Sequence, residues 1–487
     1  MNARLARLLP QDADQRAFAA FVLLLLGGGA TVLLSGSPLG LLPVVAVLGL
    51  GVLVVDWRWV YYLLLTTLAF SRELPLPGGL SLDVPSEPLM LVLLGCLGVA
   101  MLTGRSGLTR REVLHPLVLV LGLTLLWAGV STLFSVDTGK SVKYLLAKSW
   151  YIGPFLFVTL MLVRRPADVW RVAACHAFGA SITVLSTGLR HAATGFSFDT
   201  INKAVQPFYI NHVIFATVLA LLLPYAFYAQ RGSRGRTRLL WRGVMGLLAF
   251  GLLISYTRAS VLSIPVAALF YVVLRLRLTR WVLVGAVTGA LGAGLYFVKE
   301  NNFMLYAPDF EKTIFNGQNF EKHLEATYKL EDVSGMERVY RWVAAVRMLA
   351  DKPLTGSGPA TFYPEYKRYT VKSFRTYVSD NPEKSTTHNY FLLQLAEQGL
   401  PGFALFVVLL ATTLLFAENL YHRTLGRPEL RRVVLATTLS LVVIIFHLLL
   451  NELIEVDKIG SFFFIGLAIL IRAEHWVDEE HQLAEAD

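Results

Sequence analysis

The sequence predicts an all-α polytopic membrane protein with 12–14 transmembrane helices and one large, mainly helical loop outside the membrane. Three observations carry this. Hydrophobic residues make up 55% of the 487-residue chain and charged residues only 16%, against roughly 25% charged in soluble globular proteins. Apolar runs of about 20 residues, the length that crosses a bilayer as a helix, recur from Ala17 to Ile471, and they are continuous rather than alternating, which excludes a membrane β-barrel. Only one long stretch, Lys299 to Thr387, is hydrophilic.

Taken in order, the spans fall near 17–36, 38–55, 57–70, 87–103, 114–134, 142–163, 167–189, 207–229, 240–256, 258–275, 280–298, 400–420, 433–451 and 459–472. The first run is too long for a signal-peptide core and has no small-x-small cleavage site before the next span, so it reads as a retained helix. The run at 57–70 is short, and Tyr256-Thr257-Arg258 is either a break within the membrane or an exit from it, which sets the range in helix number. Cys96 and Cys175 sit inside apolar runs and read as packing residues, not as a disulfide or metal framework.

Orientation follows from the basic residues. With the N-terminus in the cytoplasm, the inside segments carry 22 Lys and Arg residues and the short outside segments only 7 (Arg72, Lys140, Lys143, Arg190, Lys203, Arg258 and Lys458), as the positive-inside rule requires. Both termini are then cytoplasmic. The net charge of +10 resides in these short loops, so it is a topological signal and nucleic-acid binding is not expected.

This topology divides the chain into an N-terminal transmembrane bundle (1–298), a large outer loop domain (299–399), C-terminal transmembrane helices (400–475) and an acidic cytoplasmic tail (476–487). Residues 299–387 hold 13 Lys/Arg and 12 Asp/Glu, so the loop is charge-rich but nearly neutral. Within it, Gly335 to Ala350 has helical apolar spacing through Val339, Trp342, Val343, Val346 and Leu349, and Asp351-Lys352-Pro353 ends it. A glycine-rich connection, Leu354 to Pro359, follows. A second helix is expected to begin with Ser385 or Thr386 as N-cap, to run through His388, and to stop at Gly399 and Pro401.

Cations on the translocated side run against the topological bias, so each needs a reason. Arg258 follows Ile254-Ser-Tyr-Thr257 at the outer end of one span and starts the next, where its guanidinium faces either a cavity or the headgroup layer. Arg190-His191, Lys140 and Lys143 could each bind phosphate and are equally at home among headgroups. Arg338 and Arg341, three apart, share one helix face opposite the apolar stripe through Trp342, an arrangement usual for a solvated face. His388-Asn389-Tyr390 places an imidazole at the first turn of a helix re-entering the membrane, where the helix N-terminus favours the neutral, proton-accepting form. His176, His212 and His447, inside apolar runs, read as packing or hydrogen-bonded residues. Lys148, in the 142–163 run, is a mid-span charge that argues either for transport or, more simply, for snorkelling towards the nearer outer face.

Walker-type phosphate loops, HExxH and Gly-x-Ser-x-Gly are missing, so ATP hydrolysis, zinc proteolysis and serine esterase chemistry have no support. The outer loop has no tight Asp-x-Asp pair for a divalent ion. No metal or other cofactor is therefore expected.

Three blocks, Arg338-x-x-x-Trp342, then Asp351-x-Pro353-Leu-x-Gly356-x-Gly358-x-x-x-Phe362, then His388-Asn389-x-x-Leu392-x-x-x-x-Glu397-x-Gly399-x-x-Gly402, together resemble the signature of the bacterial O-antigen ligase and polymerase family. Ser255-Tyr-Thr-Arg258-Ala-Ser is similar to that family's second, shorter motif, in which an arginine at the periplasmic end of a helix is required. The resemblance singles out His388 and Arg258 as catalytic; Arg338, Arg341 and Arg190 are candidates to share the contact with the diphosphate, and Asn389 to bind substrate. It implies a GT-C-like membrane glycosyltransferase of the bacterial inner membrane with a periplasmic active site. Such enzymes take an O-antigen glycan from undecaprenyl diphosphate. The ligase branch delivers it to lipid A–core in lipopolysaccharide biosynthesis, the polymerase branch to another repeat unit, and a protein O-oligosaccharyltransferase branch to Ser or Thr. The single long outer loop and compact second motif favour the ligase. A lipid or solute transporter, the reading from another class, would show repeated halves and broken helices bearing mid-membrane charges, and neither is evident in the sequence.

The chemistry agrees with that resemblance. A carrier-linked glycan is already activated by its diphosphate leaving group, so the protein needs to supply charge rather than nucleotide. Arg258 is the first choice to meet the negative charge as the C–O bond breaks. His388 either takes the proton from the acceptor hydroxyl, giving direct inversion, or orients the acceptor or a phosphate.

Overall fold

The computed structural model describes residues 27, 56–76, 80–306, 333–371, 375, 379–381 and 385–486. The spans expected at 17–36 and 38–55 therefore lie outside the described residues, apart from Gly27, as does 307–332 of the large loop. The chain forms two compact units, Met1–Leu63 and Leu64–Asp487. In the first, the Asp56 carboxylate accepts from the Arg58 amide at 3.0 Å. Helix α1 (Arg58–Thr67) begins there and continues into the second unit.

A short antiparallel hairpin follows, β1 (Arg72–Leu76) with β2 (Leu80–Val84), registered Arg72 against Val84 and Leu74 against Leu82. It departs from the all-α expectation. The signal was local: Leu80, Leu82 and Val84 alternate with Ser81 and Asp83 after a Pro-Gly-Gly turn sequence.

The rest is helical. The long elements are α2 (Ser86–Leu102), α3 (Pro116–Leu133), α4 (Thr138–Leu162, with a π-helical stretch at Gly153–Val158), α5 (Pro166–Ala192), α6 (His212–Gly232), α7 (Gly235–Ile254), α8 (Arg258–Arg275), α9 (Thr279–Val298), α10 (Val333–Asp351), α11 (Tyr390–Arg423), α12 (Pro428–Leu448) and α13 (Asp457–Ala486). Among the described residues, ten helices are long and apolar enough to cross a membrane. Each expected span from 87–103 onward corresponds to one of the helices α2–α9 or α11–α13. The expected acidic tail continues α13 as helix to Ala486.

The helix starts follow capping chemistry. Pro116, Pro166 and Pro428 occupy first turns, where a missing N–H costs nothing. The Asp137 carboxylate accepts from Lys140 N at 3.1 Å, and the Asn211 amide oxygen from Val213 N and Ile214 N at 3.1 and 3.0 Å. Packing is layered. In α13, 89% of the most apolar window is buried, while in α9 none is. Helix α12 packs against α6, α8, α11 and α13 at the centre, and α3, α7, α8 and α9 turn mostly apolar, exposed faces outward, where lipid is as good a solvent as protein.

Candidate functional site

The signature block first builds a seat. The connection after α10 lies against the first turns of α11: Ser357 N donates to Ala396 O at 3.0 Å, Gly358 N to Glu397 O at 2.8 Å and Leu400 N to Pro353 O at 2.9 Å. Two glycines permit this approach. A Cβ on Gly356 (φ +64°) would lie 2.3 Å from the Glu397 carbonyl carbon, and one on Gly399 (φ +69°) 2.1 Å from Leu354 O. The Glu397 carboxylate accepts from Phe362 N at 2.8 Å and Ala360 N at 2.9 Å. From α3, Ser131 Oγ donates to Thr355 O at 2.7 Å and Trp127 Nε1 to Gln398 O at 2.9 Å. Gly356, Glu397 and Gly399 thus have structural work that accounts for their place in the motif.

His388 sits at the edge of this seat, in the left-handed region at φ 50°. A non-glycine residue there costs about 1–3 kcal/mol and persists only where its surroundings impose it. That conformation is incompatible with the helix expected through His388. The N-cap is Asn389, whose Oδ1 accepts from Leu392 N at 3.1 Å, so α11 begins at Tyr390 and passes through a kink at Gly399 instead of stopping. The turn is held from both sides. His388 Nδ1 is 3.3 Å from Asn451 Oδ1, and Asn389 Nδ2 donates to Leu449 O at 3.2 Å. From α10, Trp342 Nε1 donates to Thr387 O at 2.9 Å and Arg341 Nη1 to Thr386 O at 3.3 Å. Arg341 is therefore not on a solvated face: it is 6% exposed and forms an ion pair with the buried Glu337 at 3.4 Å. Trp342 lies on the same side as Arg341, not opposite it, because both reach the chain just before His388.

Burial holds the His388 imidazole below its ordinary value; Glu452 opposes that, Arg338 and Arg341 add to it, and the Asn451 contact opposes it. The neutral form, the one able to accept a proton, is favoured. Half-buried Arg338 contributes from α10, and one carboxylate oxygen of Glu452 is buried without a hydrogen-bond partner among the described residues.

Arg258 opens α8 two residues after Tyr256, another left-handed residue (φ 55°), so Tyr256-Thr257 is a sharp break between two helices. The Arg258 side chain is half-buried. Two residues further, Ser260 Oγ lies 3.0 Å from His447 Nε2 on α12. The same helix end leads into Leu449 and Asn451, which hold Asn389 and His388. The two motifs thus converge on the end of α12 although 130 residues separate them in sequence.

The remaining candidates divide. Arg190 is exposed and donates to the carbonyl of Gln206, with Phe208 beside it. The loop it touches also meets the Arg258 break, through Tyr256 Oη to Phe196 O at 2.6 Å and Thr257 Oγ1 to His212 O at 3.3 Å. Lys140 pairs with Asp137 at 2.9 Å. His212 bonds Asn202, and His176 packs on the Phe462 ring. Lys148 does not snorkel: its ammonium lies 2.7 Å from Glu455, with its side chain 8% exposed. Sequence reasoning missed Asn451, Glu452 and Glu455. The signal was the concentration of Glu452, Glu455, Asp457 and Lys458 in one short connection between two apolar spans.

Fold and site together define a multi-pass α-helical membrane protein in which a half-buried histidine and the arginine-headed start of α8 converge on the end of α12. Residues 243–407 match the family model described as O-antigen ligase. The match takes in Arg258, Arg338, Arg341, His388 and Asn389 and ends before Asn451. No curated protein matches the chain.

Proposed function

We propose that the chain is an inverting, metal- and nucleotide-independent glycosyltransferase that moves O-antigen polysaccharide from undecaprenyl diphosphate to lipid A–core. In this reading it lies in the bacterial inner membrane, with both termini cytoplasmic and the site on the periplasmic face. The bundle 1–298, the loop domain 299–399 and the helices 400–475 build the site, and 476–487 form the cytoplasmic tail. The observation that carries the proposal is the strained, half-buried His388 beside Asn451, with Arg338 and Arg341 at hand, inside the matched segment.

A hydrogen bond accepted by the Asn451 amide oxygen puts the imidazole proton on Nδ1, which leaves the Nε2 lone pair to take the proton from the acceptor hydroxyl. That oxygen attacks the anomeric carbon opposite the diphosphate; its new C–O bond forms as the bond to the leaving phosphate breaks, and the configuration inverts. Negative charge then grows on the diphosphate. Arg258, with Arg338 and Arg190, meets it with preorganised guanidinium groups, which stabilise the transition state more than the ground state. Asn389 holds the turn that carries the base.

The test is transfer in a purified system of undecaprenyl-diphosphate glycan and lipid A–core, with chelator and without nucleotide. Wild type makes glycosylated lipid A–core, while folded His388→Ala and Arg258→Ala make little. Product only as longer carrier-linked chains, or only on an offered protein, moves the chain to the polymerase or protein-glycosylating branch. Full activity of His388→Ala refutes the base.

A further inference from the structure

Three consecutive residues of the signature turn, His388, Asn389 and Tyr390, all dock on one short connection between α12 and α13: on Asn451, on the Leu449 carbonyl and on Glu455. The last contact is the most heavily built. Glu455 Oε1 accepts from the hydroxyls of Tyr390 and Tyr144 (3.3 Å from the latter), and its Oε2 lies 2.7 Å from Lys148 Nζ. The ammonium also stands 5.4 Å from the centroid of the Tyr144 ring. One carboxylate thereby joins α4, the α12–α13 connection and the first residue of α11, and Tyr390 is itself only 3% exposed.

An ion pair between buried Lys148 and half-buried Glu455 is weak support for stability, because desolvation takes back most of the attraction; the best-attested use of such a pair is to fix which groups lie against which. Here the group so fixed is the residue two positions after His388, whose left-handed backbone its surroundings must impose. We propose that Glu455, clamped by Lys148, is a positioning residue that acts through the Tyr390 hydroxyl to hold the His388 imidazole in its reactive placement. The inference rests on the reading of His388 as the base.

Two variants of the full-length protein test it, Tyr390→Phe, which removes only the hydroxyl, and Lys148→Met/Glu455→Leu, which removes the pair without leaving a buried charge alone. Thermal midpoints establish folding. Two readouts follow: the rate at which diethyl pyrocarbonate modifies His388, read by peptide mass spectrometry against the other histidines, and the steady-state constants for transfer. The expected result is a severalfold change in His388 modification with the other histidines unmoved, and a fall in kcat of about tenfold or more with the donor KM unchanged, since a small displacement at the reacting atoms costs rate, not binding. Wild-type modification rates and kcat in both folded variants, with His388→Ala inactive, overturn the positioning role alone. Turnover by His388→Ala overturns the base reading and this inference with it.

Discussion

Gly399→Ala tests the seat under His388. Gly399 combines φ 69° with ψ −171°, a region that costs any other residue about 1–3 kcal/mol. The added Cβ lies 2.1 Å from Leu354 O and 2.8 Å from Pro353 O, so the two backbones must part by about 1.3 Å to reach the 3.4 Å of ordinary contact. Such overpacking adds about 1–3 kcal/mol, and the total loss is about 2–6 kcal/mol. The comparison is Gly289→Ala in α9, where nothing lies within 4 Å of the new methyl group and helix propensity gains up to about 1 kcal/mol. Thermal unfolding of both variants in the same detergent, followed by intrinsic fluorescence, should place Gly399→Ala well below wild type and Gly289→Ala at or above it. If Gly399→Ala melts with wild type, the signature glycine is not there for close approach, and the structural account of the block fails.

Transfer should weaken as pH falls, with the acid limb of kcat/KM below the ordinary histidine value of 6.5, because the His388 pKa is lowered and only the neutral ring accepts a proton. Glu452→Gln removes a group that raises that pKa and should move the limb lower; Arg338→Gln removes one that lowers it and should move the limb higher, so limbs displaced in the same direction would refute the electrostatic account. Asn389→Ala loses the α11 cap and should cost about 1 kcal/mol in a denaturation measurement. Lys458→Met strips the ammonium that bonds Ser71 O at 2.6 Å and Phe208 O, leaves buried Asp457 without it, and should cost about 3–5 kcal/mol, visible as a collapse of folded yield.

Spans were legible because lipid imposes a long, continuous apolar run that no soluble helix requires, and from 87 onward each expected one reappears as a helix, although α11 already begins at Tyr390 and α13 runs on to Ala486. Helix ends were less so. The turn before α11 offers Ser385, Thr386 and Asn389 as caps, all chemically apt, and the choice falls on Asn389 because Leu449, Asn451 and Glu455 arrive from elsewhere in the chain to hold His388 out of the helix. The burial of Arg341 had the same cause: Glu337, one turn before it, looks like a surface partner until Ser379 closes over it. A single sequence displays i, i+4 neighbours on one helix, but not the loop that folds onto them.

That burial divides the labour among the cations. Arg341 already spends its guanidinium on Glu337 and the Thr386 carbonyl at 6% exposure, so moving it onto a diphosphate would leave a buried carboxylate alone, at a cost of about 3–5 kcal/mol. Lys148 and Lys458 are likewise committed, to Glu455 and to backbone carbonyls. Arg341 can act on the reaction without leaving its place, through the field that keeps His388 neutral. On the proposed function, contact with the leaving group falls to Arg258 at the head of α8 and Arg338 on α10, both half-buried, together with exposed Arg190. On this division, Arg258→Ala slows bond cleavage to the diphosphate at every pH, whereas Arg341→Gln acts mainly by shifting the pH at which the base works and by loosening the loop around Glu337.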